Sequence, residues 1–491
     1  MTQVTQESLI RSLGITVPTG LWIGGRERPA ADASTFDVID PATAQPVATV
    51  SSATVDDALL ALDAAEQVAV GWRSTPPRVK SEILRTAFEL MIERREALAA
   101  LITLENGKAL ADARAEVTYA AEFFRWYAEE AVRLQGTLET APGGANRILV
   151  IRQPVGVCLL ITPWNFPAAM ATRKIAPALA AGCTIILKPA SETPLTALAM
   201  VAILEEAGLP AGVVNVIPSR RSGAVTSSLL ADPRIRKISF TGSTEVGRVL
   251  LSEAAKTVVN VSMELGGNAP FLVLEKADVD AAVAGAMIAK LRNGGEACTA
   301  ANRFYVHSSV ADEFSSKFAD AFRSLTVGAG LDESNQIGPL VNEEARQKVR
   351  GLVDGAIAQG AQAIVGGNPL DGEGYFYAPT VLMNVRPDSQ ILSEEIFGPV
   401  APIVIFDHVD DAVRMANNTE FGLVAYVYTT DLAEGLRVSE AIEAGMIGLN
   451  RAIVSDPAAS FGGVKQSGIG REGGHDGVLD YTESKYIAVT W

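Results

Sequence analysis

Three polar side chains sit in stretches of small or apolar residues, where covalent chemistry would need them. Residues 291–303 read LRNGGEACTAANR, placing a lone Cys298 between a Gly-Gly pair and a run of small residues. Gly294, Gly295, Ala297 and Ala300 leave room around its sulfur, and glycine lets a backbone bend or approach a ligand closely. A thiolate at such a bend can attack a carbonyl carbon and hold it covalently, whereas a cysteine whose pKa is not lowered is only a small core residue. Residues 261–270, VSMELGGNAP, end an apolar run on Glu264 just before Gly266 and Gly267, so its carboxylate can swing towards a neighbour as general base. Residues 161–167, ITPWNFP, set Asn165 between Trp164 and Phe166. Its side-chain N–H could steady an oxyanion, although Pro163 and Pro167 suit an ordinary turn asparagine equally well.

The elements that must position these groups follow from periodicity. Apolar residues at three- and four-residue spacing predict helices over 55–67, 77–94, 95–105 and 109–134, the last with a core-facing stripe of Phe123, Phe124, Trp126 and Tyr127. From Cys158 short apolar runs alternate with helices: strands at 158–162, 184–188, 213–217 and 237–240, helices at 167–181, 193–207, 222–231 and 244–255. That alternation predicts an α/β fold with a doubly wound parallel sheet that suits a nucleotide. The GxGxxG fingerprint is absent; in its place SFTGSTEVG at 239–247 puts Gly242 and Ser243 at a helix start, where free N–H groups suit a phosphate. A second α/β lobe runs from about 266 to 445, and 481–491 alternates like an edge strand that needs a partner.

Composition excludes several classes. The chain has 491 residues, 48% hydrophobic and 20% charged, enough for two or three lobes with large cores. Its net charge of −16 and lack of a basic tract argue against nucleic acid. No apolar run reaches the roughly 18 residues of a membrane span, and MTQVTQESLIRSLG shows no secretory leader. Three cysteines, Cys158, Cys183 and Cys298, make no disulfide framework, so a cytoplasmic location is expected.

Together the WNFP, LKPA, FTGSTEVG, MELGG, GGEAC, EEIFGP and FGGVKQSGIGRE segments, in that order, resemble the aldehyde dehydrogenase superfamily from about residue 40 to 491. The 34 residues from Glu264 to Cys298 also fit. The resemblance implies a cofactor domain over 1–131 and 153–265, a catalytic domain over 266–479, and a small β oligomerisation arm over 132–152 and 480–491. It implies a homodimer or homotetramer, with the C-terminal strand paired across subunits. It makes Cys298 the nucleophile, Glu264 the base, Asn165 an oxyanion donor and Lys174 a support of their network. No metal is implied. Trp164, Lys188, Gly242, Ser243, Glu395 and Phe397 would hold a nicotinamide dinucleotide.

NAD-preferring relatives carry a glutamate three residues after this lysine; here Ser191 stands there. Ser191, with Arg220 and Arg221 of PSRRS, favours NADP, with NAD possible. ATRKIAPALAAGCTIILKPA is nearest to the group that oxidises succinate semialdehyde, in which two arginines and a serine bind the far carboxylate; these fall on Arg173, Arg292 and Ser455. Arg303, shared by relatives of differing substrate, reads as structural. Glutarate semialdehyde or a broader range of aliphatic aldehydes is the nearer alternative, since the loop 451–460 departs from the family pattern. Acyl transfer to coenzyme A or phosphate, and a non-catalytic scaffold, are the remote ones.

Overall fold

The computed structural model describes residues 10–491; most of the stretch read for a leader, residues 1–9, lies outside them. Five parallel strands form the centre of the first sheet, in the order Val214–Val216, Thr184–Lys188, Val157–Ile161, Ile235–Thr241, Asn260–Glu264. The chain thus starts in the middle, winds outward one way, then returns and winds the other. Such a sheet opens a crevice beyond the carboxyl ends of its two middle strands. Successive residues of Val157–Ile161 enter opposite cores: Cys158 and Leu160 one, Val157, Leu159 and Ile161 the other. Helices therefore cover both faces, as continuous apolar strands require.

Local sequence explains where these helices begin and end. Val55–Ser74 starts at a reciprocal cap between Thr54 and Asp57 and runs past the expected limit of 67, stopping short of Pro76. Pro167–Ala181 has proline at its first position and Gly182 at φ +98 beyond its last. The helix expected over 109–134 is Leu110–Glu130. It ends early because from Thr137 the chain is committed to a strand pair with Arg147–Pro154.

The second sheet is likewise parallel, in the order Thr380–Met383, Val400–Phe406, Ala301–His307, Ala269–Val273, Val424–Tyr428, Met446–Leu449, with Gln362–Val365 antiparallel at one edge. Phe271 and Val273 face one core, Leu272 and Leu274 the other.

Two late segments return to earlier ones. Gly468–Ile469 pairs antiparallel with Glu264 and Met263 at the edge of the first sheet. Thr482–Val489 is bonded along eight residues to Arg147–Pro154 of its own chain, which satisfies one of its two edges and leaves the other open. With Thr137–Thr140 these strands form a separate three-stranded sheet.

Arg303 is a clasp between segments. It is 1% exposed and donates to the carbonyls of Asn268, Met415 and Ala416. Arg303→Lys keeps the charge but loses the planar fork. Leaving buried carbonyls unserved should cost about 2–4 kcal/mol, read as a lower urea midpoint with no change of fold by circular dichroism.

Candidate active site

The nucleophile candidate sits on a loop built from left-handed backbone. Helix Val279–Leu291 ends in the turn Arg292–Gly295, where Asn293, Gly294 and Gly295 take φ of 57, 61 and 85. Asn293 tolerates that strain because it is tied down. Its side-chain amide donates to the carbonyls of Asn165 and Glu296, and its N–H to Asp112. Cys298 follows, just before strand Ala301–His307. The ELGG segment meets this loop backbone to backbone. A Cβ on Gly267 would lie 2.6 Å from the Cys298 carbonyl oxygen, which is why glycine is needed there.

Asn165 is held from behind. Lys108 Nζ donates to its carbonyl at 2.6 Å and pairs with Glu116 at 2.5 Å, both side chains being buried. Glu116 also accepts the N–H groups of Ala168 and Ala169, the exposed donors of helix Pro167–Ala181. Asn165 Nδ2 donates to the Glu296 carbonyl at 3.0 Å, leaving its second hydrogen for a ligand. Asn293, Lys108 and Glu116 are functional supports that the sequence did not single out. The only local hint was a buried-length helix starting at Pro167 with no capping side chain of its own.

Glu264 ends its strand 3% exposed, with Oε2 buried and unpaired. Gly462 packs against it: a Cβ there would come within 2.9 Å of Oε1. Burial, then the charge of Glu472, push the Glu264 carboxyl well above the usual range, while Arg173, Lys174 and Arg471 pull it back. Lys174 bonds Glu472 at 2.5 Å and Ser239 at 2.9 Å. Burial likewise pushes the Cys298 thiol up to about 12; Arg173 and Arg292 oppose it, while Glu395 and Glu264 add to it. The resting sulfur is a thiol that must lose its proton before it can attack.

The three candidate substrate ligands are distributed around this sulfur. Arg292 makes no ion pair or hydrogen bond among the described residues; its guanidinium lies over Phe166 at 5.0 Å and Tyr119 at 5.6 Å. Arg292 and Ser455 line one small cavity, with Thr299 and Tyr426. Arg173 is 2% exposed, donates to the Tyr119 hydroxyl and lies over Phe461 at 4.0 Å. It also stands 3.7 Å from Glu472, so part of its charge is already answered inside the protein.

Trp164, Asn165, Gly242, Ser243, Glu395, Phe397 and Cys298 all line one cleft of about 570 Å³. Trp164 and Phe397 meet edge to face at 5.4 Å. Ser243 caps helix Thr244–Ala255, whose first N–H groups are open to the cleft side. Thr241 Oγ1, also in the lining, is buried without a partner. Lys188 is buried, bonded only to the Pro189 carbonyl, and lowered by burial to about 8. Ser191 leans on Glu192. The cradle of helix N-terminus and aromatic wall fits a dinucleotide, with Glu192 in its lining and Lys188 and Ser191 just outside that lining. Arg220 and Arg221 are not brought to it. Arg221 pairs with Asp32 at 2.8 Å and Arg220 lies over Phe36 at 5.3 Å.

Two outcomes follow from this geometry. Alkylation of Cys298 by iodoacetamide in the free protein should accelerate about tenfold per pH unit from 7 to 9, without a plateau, because the thiolate is the reactive form. Gly462→Ala should displace the Glu264 carboxylate and slow turnover about tenfold to a hundredfold, with a rapid burst of reduced cofactor preserved in stopped flow.

Comparison with known proteins agrees with this site. Residues 28–487 match the aldehyde dehydrogenase family. A succinate-semialdehyde dehydrogenase of Paenarthrobacter nicotinovorans is 56% identical, covering 90% of this chain and 98% of that protein. A glutarate-semialdehyde dehydrogenase of Pseudomonas putida is 46% identical, covering 96% and 97%. A solved NADP-dependent enzyme of E. coli superposes with a TM-score of 0.96 at 45% identity, over 98% of this chain and 99% of that one. With the crevice, the cysteine loop and a match over most of its length, the chain belongs to the aldehyde dehydrogenase family.

Proposed function

We propose that this chain oxidises succinate semialdehyde to succinate with NADP, NAD being a possible substitute. The observation that carries the substrate class is the placing of two guanidinium groups, Arg173 on the helix after Asn165 and Arg292 on the turn before Cys298, against one ring, Tyr119, at 5.8 and 5.6 Å. In a protein of net charge −16, a local pair of arginines answers an anionic substrate. The relatives named above point the same way.

Bound in the cleft against Trp164, Gly242, Ser243, Glu395 and Phe397, the nicotinamide cofactor supplies the hydride acceptor that side chains lack. The protein does the rest. Cys298 Sγ, as thiolate, bonds to the aldehyde carbon. Asn165 Nδ2 and the Cys298 N–H receive the oxyanion. After oxidation the acyl group remains on sulfur as a thioester. Glu264 takes a proton from water, the oxygen adds to the acyl carbon, and the carboxylate leaves as thiolate re-forms. A carboxyl raised above its usual range is a stronger base for that task. Lys174 fixes Glu472 beside it.

The exposed three-stranded sheet supports a homodimer or homotetramer. Leu138, Tyr486 and Trp491 stand open on it or just beyond it, and its outer edges are unpaired. We place the protein in the cytoplasm: its three cysteines are all free, and among the described residues no helix is long and apolar enough to cross a membrane. Glutarate semialdehyde is the second reading, favoured by the Pseudomonas putida relative and by the open loop after Asn450, where Arg451 and Ile453 are exposed.

The test is reduction of NADP and NAD, in parallel, with succinate semialdehyde, glutarate semialdehyde and butanal. Fastest turnover of the four-carbon acid aldehyde is expected; preference for butanal would overturn the substrate assignment. Cys298→Ala should abolish turnover with cofactor binding retained. Arg292→Gln should raise KM for succinate semialdehyde roughly a hundredfold with little loss of folding stability, since this arginine has no ion pair to break.

A further inference from the structure

Two like charges, Arg173 and Arg292, rest on the ring of one residue, Tyr119, on helix Leu110–Glu130. Its ring centroid is 5.8 Å from the Arg173 guanidinium carbon and 5.6 Å from that of Arg292. Its hydroxyl oxygen accepts from Arg173 Nη2 at 2.7 Å. Phe123, one turn on, meets the ring edge to face at 5.0 Å and fixes its plane. Against this hold stands Glu472, 3.7 Å from Arg173 Nη1 and already serving Lys174. Released from Tyr119, the Arg173 guanidinium would have its nearest charged partner in that carboxylate, away from the pocket. The Tyr119 O–H makes no other hydrogen bond among the described residues, so its own proton remains to be donated.

We propose that Tyr119 is the positioning residue that makes this site selective for a carboxylated aldehyde. Its ring bears on both guanidinium groups, its oxygen keeps Arg173 turned towards the substrate, and its O–H is a third donor for the substrate carboxylate. The proposal deepens the substrate reading above and rests on it.

Tyr119→Phe keeps the ring and removes the oxygen; Tyr119→Leu removes both. Each is assayed with succinate semialdehyde and with butanal, of equal chain length and no charge, and succinate is titrated as an inhibitor. The ratio of kcat/KM for the acid aldehyde over butanal should fall roughly tenfold to a hundredfold in the Phe variant. The loss should lie in KM, and succinate inhibition should weaken by a like factor. The Leu variant should lose more. A purely structural role would lower both aldehydes together and leave the ratio unchanged, which overturns the proposal while the substrate assignment stands. Indifference of the unmutated enzyme to the substrate's charge overturns both.

Discussion

The site hangs on a buried ion pair, Lys108 with Glu116. Neither side chain is more than 1% exposed. Burial of two charges is costly unless every donor and acceptor finds a use. Here each does double service: the ammonium also holds the Asn165 carbonyl, the carboxylate also caps the helix that follows. That helix, Pro167–Ala181, is buried from end to end and carries Arg173 and Lys174 in its middle. One clamp thus sets Asn165, Arg173 and Lys174 in a single rigid segment.

From this anchor the charges of the pocket balance one another. Arg173, Lys174, Glu264 and Glu472 are all nearly inaccessible to water. Each raises or lowers the proton affinity of its neighbours. The Glu264 carboxyl is pushed up by burial first and by the neighbouring Glu472 second, and the thiol, raised by burial, is tempered by two guanidinium groups. Removing water strengthens every one of these effects. The same closeness makes Arg173 a divided group, drawn by the protein's own acid on one side and by Tyr119 on the other.

Much of this was legible in the sequence because it is local. Strand and helix alternation announced a doubly wound parallel sheet beside Asn165 and Ser243, and proline and glycine marked the helix ends. Small residues beside Cys298 announced a tight loop. What stayed hidden was contact between distant segments. Nothing near Lys108 says that its partner is eight residues away while its ligand is 57. Phe123 read as core stripe, and it is; Tyr119, one turn earlier, was not singled out, because the guanidinium groups resting on it come from residues far along the chain. Arg221 shows the same thing: the acid it pairs with is 189 residues earlier. The C-terminal strand had the right pattern, but a pattern names no partner.

The return of the chain to the first sheet has a consequence for timing. Glu472 grips Lys174 across 298 residues, Ser467 bonds the ELGG turn and Gly422, and Ile469 pairs with Met263. On the ribosome, Cys298 emerges well before any of these closing contacts exist. A half-made chain therefore carries the sulfur without the surroundings that govern its proton. The tie from Glu472 to Lys174 and the seat of the ELGG turn are thus made last, when the late segment folds back onto the first sheet.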